Sequence, residues 1–130
     1  VMIKFRTRYK LAGFLCLQLA LLNTNSYAHL PFISQFSVDN PSLIEGTLTK
    51  VEIGSPHSLL TVSVPHEEGI DVIWRVEWLS VSSLLKRNVD RTSLSIGEQI
   101  QVGGFQSIDE YNRLIYPNII SSESGFVWER

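Results

Sequence analysis

The chain has 130 residues, of which 44% are hydrophobic, and this length and composition suit one domain with one core. Its 11 Lys and Arg residues against 13 Asp and Glu residues give a formal net charge of −2 at pH 7. This balance excludes a strongly basic protein of the kind that binds nucleic-acid phosphates without sequence preference. The single cysteine excludes a disulfide within the chain.

Residues 1–28 have the layout of a secretory signal peptide. Four basic residues precede an apolar run at residues 11–22, and a polar segment then ends in small residues at Ser26 and Ala28. The alternative is an uncleaved membrane anchor, but a spanning helix needs about 20 apolar residues and this run has 12. Cys16 lies too deep in the run for a lipid attachment. We therefore predict cleavage after Ala28, a periplasmic or secreted mature protein, and no stable membrane insertion after cleavage.

Cleavage would make the chain more acidic. The leader contains four of the 11 basic residues, none of the 13 acidic residues and the only cysteine. Residues 29–130 therefore carry seven basic and 13 acidic side chains, a formal charge of −6. Such a surface repels phosphate backbones, which predicts that no nucleic acid is a partner.

An irregular lead-in is predicted at residues 29–41, because this segment combines Pro31 with several Ser, Asp and Asn residues. Phe32 and Phe36 are expected to hold it against the surface of the domain, since exposed rings gain by packing. The folded domain is then expected to begin at residue 42.

Three successive β-strands are predicted from a hydrophobic period of two. The first starts at residue 43, and the next two occupy residues 58–65 and 70–78. A short polar connection that ends in a glycine, residues 66–69, predicts that the second and third strands form an antiparallel hairpin. Gly46 within the first strand indicates a coil, a bulge or a close backbone approach.

The period changes after the third strand. Residues 80–87 predict a helix of about two turns, with Ser80 as its N-cap and two basic residues in its last turn. Two further strands are predicted at residues 99–105 and 113–121. Pro117 cannot donate a ladder hydrogen bond, so the last strand is expected to be an edge strand or a bulged one.

Five strands with a short helix between the third and the fourth follow the order of the oligonucleotide/oligosaccharide-binding (OB) barrel. The sequence thus predicts a mainly β fold: a small, open, five-stranded antiparallel OB-like barrel over residues 42–121. The last segment, residues 122–130, is predicted to be a flexible tail.

Four segments carry a resemblance to a known family: GTLTKVEIGSPH from residue 46, VIWRVEW from residue 72, LLKR from residue 84, and TSLSIGEQIQVGG from residue 92. In this order and spacing they resemble DUF6152, a family of small exported bacterial proteins of unknown function. The resemblance covers about residues 28–120 and implies a signal peptide and an open barrel. It implies no enzymatic activity.

The chain departs from the pattern of the family in three places. Members often begin the mature chain with two adjacent histidines, where this sequence has His29 and Leu30. Ser55 replaces the asparagine of an Asn-Pro-His segment, and Asn88 and Val89 replace a Gly-Trp pair. A function that depends on paired histidines is therefore not expected to transfer to this chain.

Two histidines are candidate metal ligands. After cleavage His29 would be the first residue, so its imidazole and α-amino group could chelate copper or zinc, and His57 could complete the site. A protein metal site usually has three or four ligands with supporting hydrogen bonds. The alternative is that His29 is only a chain end and His57 a loop residue that bonds a backbone carbonyl.

Arg75 and Glu77 are candidates for a ligand-binding face. They lie two apart in one predicted strand and therefore on one side of the sheet, opposite Trp74, Val76 and Trp78, which are predicted to face the core. The alternative is that they are ordinary surface charges, which contribute less than about 1 kcal/mol.

No catalytic motif is present. The sequence contains no Gly-x-Ser-x-Gly, His-Glu-x-x-His or glycine-rich phosphate loop, so it gives an enzyme no support. We predict an exported binding module for a metal, a small molecule or a protein partner. The alternative function is that of a structural or stress-related envelope accessory, which contacts another protein and binds no small ligand.

Overall fold

The computed structural model of the chain describes residues 34–130, which contain six β-strands and one short helix. The elements are β1 (Phe36–Glu52), β2 (Ser58–Val64), β3 (Val72–Trp78), α1 (Val81–Leu85), β4 (Gln99–Ser107), β5 (Leu114–Ser122) and β6 (Val127–Glu129). The predicted signal peptide and His29 lie outside the described residues. In the described part of the chain, no helix has the length and apolar character that a membrane crossing requires.

The strands form a sheet that closes into a ring. Strand β1 pairs antiparallel with both β2 and β4, and these pair antiparallel with β3 and β5 respectively. A short parallel contact between β3 and β5 closes the ring, with Arg75 opposite Leu114 and Val76 opposite Ile115. The predicted mainly β fold, with a short helix between the third and fourth strands, is confirmed. The pairing that closes the ring is parallel, and the other strand pairings are antiparallel.

The core lies inside the ring and is built from inward-facing positions of every strand, together with Leu84 of α1 and two residues of the segment between α1 and β4. Its buried members are Ile44, Leu48, Leu60, Val62, Val76, Trp78, Leu84, Val89, Leu94, Ile100, Val102, Ile115, Ile120 and Trp128. The alternation predicted for the third strand is confirmed, because Val76 and Trp78 are buried and Trp74 packs against the same cluster. The rings of Trp78 and Trp128 meet edge to face, with their centroids 5.5 Å apart.

Strand β1 is the longest strand, and Gly46 allows its backbone to come close to that of β2. A Cβ at this position would overlap the backbone carbonyl of Ser63 on β2, so only glycine allows the two backbones this approach. The register between β1 and β2 shifts between Leu48 and Lys50, which marks a bulge next to it. The close approach that the sequence indicated is therefore present.

The described part of the lead-in, residues 34–41, and the carboxyl-terminal tail are more ordered than predicted, whereas Phe32 lies outside the described residues. Strand β1 already begins at Phe36, which is buried and packs on the ring of Tyr116. Residues 122–130 were predicted to be flexible, but β6 pairs with β5 and Trp128 is only 4% exposed. A three-residue strand is too short to produce a recognisable alternation, and this is why the sequence pattern did not reveal it.

Helix α1 is shorter than predicted. The backbone N–H of Ser83 donates to the Ser80 side chain, so the predicted N-cap is confirmed. The helix ends at Leu85, and Lys86 and Arg87 therefore follow the last turn rather than occupy it. The Arg87 guanidinium donates instead to the backbone carbonyl of Glu129, at 3.2 Å, and links the helix end to β6.

A buried carboxylate fixes the turn that precedes β4. Glu98 accepts a hydrogen bond from the Ser95 backbone N–H at 2.6 Å and another from the Ser124 hydroxyl at 2.7 Å. Burial acts to raise the pKa of Glu98, but the hydrogen bonds from these two groups and from Ser122 outweigh burial and hold the pKa below its usual value. The carboxylate thus joins the turn before β4 to the turn before β6.

Candidate functional site

His57 is held in place by the turn that connects β1 to β2. The N–H of Ser58, a buried residue, donates to the Leu79 carbonyl at 3.0 Å, and the N–H of Gly54 donates to Ser58 Oγ at 3.2 Å. The N–H of Val81 donates to the Gly54 carbonyl at 2.8 Å, which ties the turn to the start of α1. These bonds fix the backbone immediately before and after the imidazole.

The imidazole of His57 bonds to a carboxylate on β3, the strand that pairs with β2. His57 Nδ1 lies 2.6 Å from Glu77 Oε1, and the two side chains are 45% and 16% exposed. An ionised carboxylate only accepts hydrogen bonds, so the proton in this bond belongs to Nδ1. The bond sets the orientation of the ring, and in the neutral ring it places the remaining lone pair on Nε2.

Arg75 lies beside this pair on the same face of β3. The strand alternation places Arg75 and Glu77 on one side of the sheet, opposite Thr61 and Leu59 of β2. The Arg75 guanidinium donates to Asn112 Oδ1 at 3.4 Å, and its backbone N–H donates to the Arg113 carbonyl at 2.9 Å. The backbone bond belongs to the contact that closes the ring, so the position of Arg75 is set by the fold.

These side chains line a groove of about 300 Å³ on the outside of the ring, which we call the His57 groove. It is lined by Pro56, His57, Leu59, Arg75, Glu77 and Leu114. Three of these residues are apolar and three carry polar or charged groups. An apolar surface with a few converging polar groups is the usual composition of a small-molecule site.

The model of a family of unknown function, DUF6152, matches residues 17–113. The chain belongs to DUF6152. None of the curated proteins matches it.

The DUF6152 match includes most of the His57 groove. It covers His57, Arg75 and Glu77, whereas Leu114 lies just beyond its end. The match confirms the family that the sequence motifs indicated. Because DUF6152 carries no described activity, the function of this chain has to be inferred from its own residues.

In this DUF6152 chain, residues that were predicted to form two separate sites lie in one. His57 was predicted as a metal ligand, and Arg75 and Glu77 as part of a separate ligand face; the structure brings all three together in one groove. His29, the other predicted metal ligand, lies outside residues 34–130. Within residues 34–130, no three or more His, Cys, Asp or Glu side chains form a cluster that could hold a metal ion.

Sequence reasoning missed the bond between His57 and Glu77. The register of the hairpin contained the signal, because Ser58 lies opposite Trp78 and Leu59 lies opposite Glu77. A residue just before β2 is therefore near the last residues of β3 on the same face. This closeness could be predicted only if the register of the hairpin were known, and the alternation of apolar residues alone does not give the register.

Proposed function

We propose that this DUF6152 chain is an exported ligand-binding module whose recognition surface is the His57 groove. The observation that carries the proposal is the 2.6 Å bond between His57 and Glu77, two residues that line a groove together with Pro56, Leu59 and Leu114. A carboxylate that fixes an imidazole in one orientation prepares that imidazole for a ligand before the ligand arrives. The export part of the proposal is supported by the signal-peptide pattern of residues 1–28.

The chemistry of the groove favours a small organic acid with an apolar group. The Arg75 guanidinium offers several N–H donors in a plane, which match the geometry of a carboxylate or a phosphate. Glu77 is engaged with His57, so its negative charge opposes an incoming anion less than a lone carboxylate would. Leu59 and the small exposed part of Leu114, a residue that is 9% exposed, give an apolar group of the ligand a surface to bury.

A direct test compares acids with their neutral amides. The sample is the protein as it is purified after any processing in the producing cell. Phenylacetate and N-acetylleucine are titrated into it, and phenylacetamide and N-acetylleucinamide are the matched neutral probes. We expect the acids to raise the melting temperature and the amides to have little effect. Replacing Arg75→Gln is expected to weaken binding of the acids about tenfold, because a hydrogen bond to a charged group contributes about 1.5–3 kcal/mol. Arg91→Gln, at an exposed arginine in the loop before β4, is the matched control.

A metal is the second candidate ligand, and one specific observation favours it. A histidine whose Nδ1–H is held by a carboxylate is a common arrangement in metal sites, where Nε2 binds the ion. His57 and Glu77 have this arrangement. A borderline ion such as copper or zinc would need further ligands, for which His29 and its α-amino group are the proposed source. Copper, zinc and nickel are therefore titrated as well, and His29→Ala and His57→Ala are each expected to reduce any shift in melting temperature.

The accessory function is distinguished by the same titrations. A protein that acts only by contacting an envelope protein would show an unchanged melting temperature with every acid and every metal ion. This outcome would contradict the proposed binding module and favour the alternative.

A further inference from the structure

A second groove lies directly beside the His57 groove. It has a volume of about 360 Å³, and we call it the far groove. The residues that line it besides Leu114 are Ser34, Gln35, Ser107, Ile108, Asp109 and Asn112. Leu114 lines both grooves, and Arg75 of the first groove donates to Asn112 of the second. The two grooves are therefore adjacent parts of one surface.

The wall of the far groove is held by backbone hydrogen bonds. The Ile108 N–H donates to the Gln35 carbonyl at 2.9 Å, which ties the end of β4 to the start of β1. The Asn112 N–H donates to the Asp109 carbonyl at 3.0 Å, and the Leu114 N–H donates to the Asn112 carbonyl at 2.7 Å. The loop between β4 and β5 is thus folded against the groove it lines, and the groove is part of the fold.

We propose, building on the proposed function, that the ligand is an extended peptide that occupies both grooves. Its terminal carboxylate binds Arg75 in the His57 groove, and its chain passes Leu114 into the far groove. The Arg75–Asn112 bond, at 3.4 Å, is near the outer limit for a hydrogen bond and is weak. A carboxylate replaces Asn112 as the partner of Arg75 at little cost, and the Asn112 side chain then becomes available to the peptide backbone.

The composition of the far groove favours a peptide over other linear ligands. An alkyl chain would bury the amide and hydroxyl groups of Gln35, Ser107 and Asn112 without a partner, which is unfavourable. A peptide offers N–H and C=O groups to these side chains and apolar side chains to Ile108 and Leu114. A nucleic acid is disfavoured, because Arg75 is the one Lys or Arg side chain among the residues that line the two grooves, and binding to a phosphate backbone depends on several such contacts.

The test measures how affinity depends on peptide length. The probes are N-acetylleucine and the N-acetylated di-, tri- and tetrapeptides of alternating serine and leucine that end in the same free leucine carboxylate. We expect the tetrapeptide to bind about tenfold more tightly than N-acetylleucine, which corresponds to about 1.4 kcal/mol. Isothermal titration of each probe into the purified full protein gives the affinities.

Two matched variants locate the gain in affinity. Ile108→Trp places a bulky side chain at the far groove, where Ile108 is 54% exposed. Ile96→Trp places the same side chain in the turn before β4, where Ile96 is 68% exposed. We expect Ile108→Trp to reduce the affinity for the tetrapeptide to that for N-acetylleucine, and Ile96→Trp to leave the length dependence unchanged. A length dependence that persists in Ile108→Trp would overturn the inference.

The remaining outcomes separate this inference from the proposed function. Binding of N-acetylleucine without any gain for longer peptides overturns the extended peptide and leaves the proposed function standing. A protein that binds none of the peptides, and whose melting temperature is unchanged by phenylacetate, N-acetylleucine and the three metal ions, overturns both. A gain with chain length for alkanoates or linear oligosaccharides, and none for peptides, overturns the assignment of the ligand as a peptide.

Discussion

His57 Nδ1 lies 2.6 Å from Glu77 Oε1, and this bond connects the turn after β1 to the end of β3. His57 is held by the hydrogen bonds of the turn around Ser58, and Glu77 is held by its pairing with Leu59 in the hairpin of β2 and β3. The backbone on both sides of the pair is therefore set by the fold, which is the property that a binding site needs if it is to exist before its ligand binds.

The coupling between these two residues is expected to be measurable. A double-mutant cycle with His57→Ala and Glu77→Ala should give a coupling free energy of about 0.5–1 kcal/mol, limited by solvent screening at the exposed imidazole. The measurement is urea unfolding of the four proteins. Lys50 and Glu52, which form a more exposed ion pair at 2.9 Å, provide the matched control cycle and should show a smaller coupling. Equal couplings in the two cycles would mean that the His57–Glu77 bond is an ordinary surface contact.

Glu98 is expected to make the stability of the domain depend on pH in the acid range. Its pKa in the folded protein lies below the ordinary value of 4.5, so its contribution is fully present above about pH 4.5 and is lost as the pH falls through the folded pKa. Glu98→Gln should therefore flatten the fall of the unfolding free energy below this pH. Glu110→Gln, at an exposed carboxylate, is the control. An identical pH profile for wild type and Glu98→Gln would contradict this role.

Gly46 is expected to tolerate no side chain. Gly46→Ala should destabilise the domain by about 1–3 kcal/mol, because the added Cβ meets the backbone carbonyl of Ser63 and the two strands have to separate. In Gly54→Ala the added Cβ would lie an ordinary 3.7 Å from the His57 carbonyl oxygen, so the loss of stability there should be much smaller. Thermal unfolding of the two variants tests this, and equal effects would mean that the approach of β1 to β2 is not close.

Trp128 is expected to be essential for the core. Trp128→Ala should cost about 3–5 kcal/mol, since it leaves a large cavity beside Trp78. It should also remove the near-ultraviolet circular dichroism that two indoles in contact produce. Val127→Ala, at the neighbouring exposed position of β6, should have little effect. A Trp128→Ala protein with unchanged stability would support the flexible tail that the sequence predicted.

The sequence revealed much of the ring and little of the site. Alternation identified the hairpin of β2 and β3 because each strand has one apolar face, and the serine cap identified the start of α1. The alternation could not reveal β6, because a strand with a single buried residue has no recognisable hydrophobic period. Nor could it reveal that His57 meets Glu77, because contacts between strands depend on the register, and the register is set by turn geometry and by the packing of the core.

The central claim is that the His57 groove is the recognition surface of this protein, and nuclear magnetic resonance tests it most directly. N-acetylleucine is titrated into isotope-labelled protein, and the backbone and side-chain signals that shift are mapped onto the structure. We expect the largest changes in chemical shift at His57, Leu59, Arg75 and Leu114. We expect Arg75→Gln to remove these changes. Shifts confined to the outer face of β1 and β4, or no shifts at a saturating concentration, would contradict it.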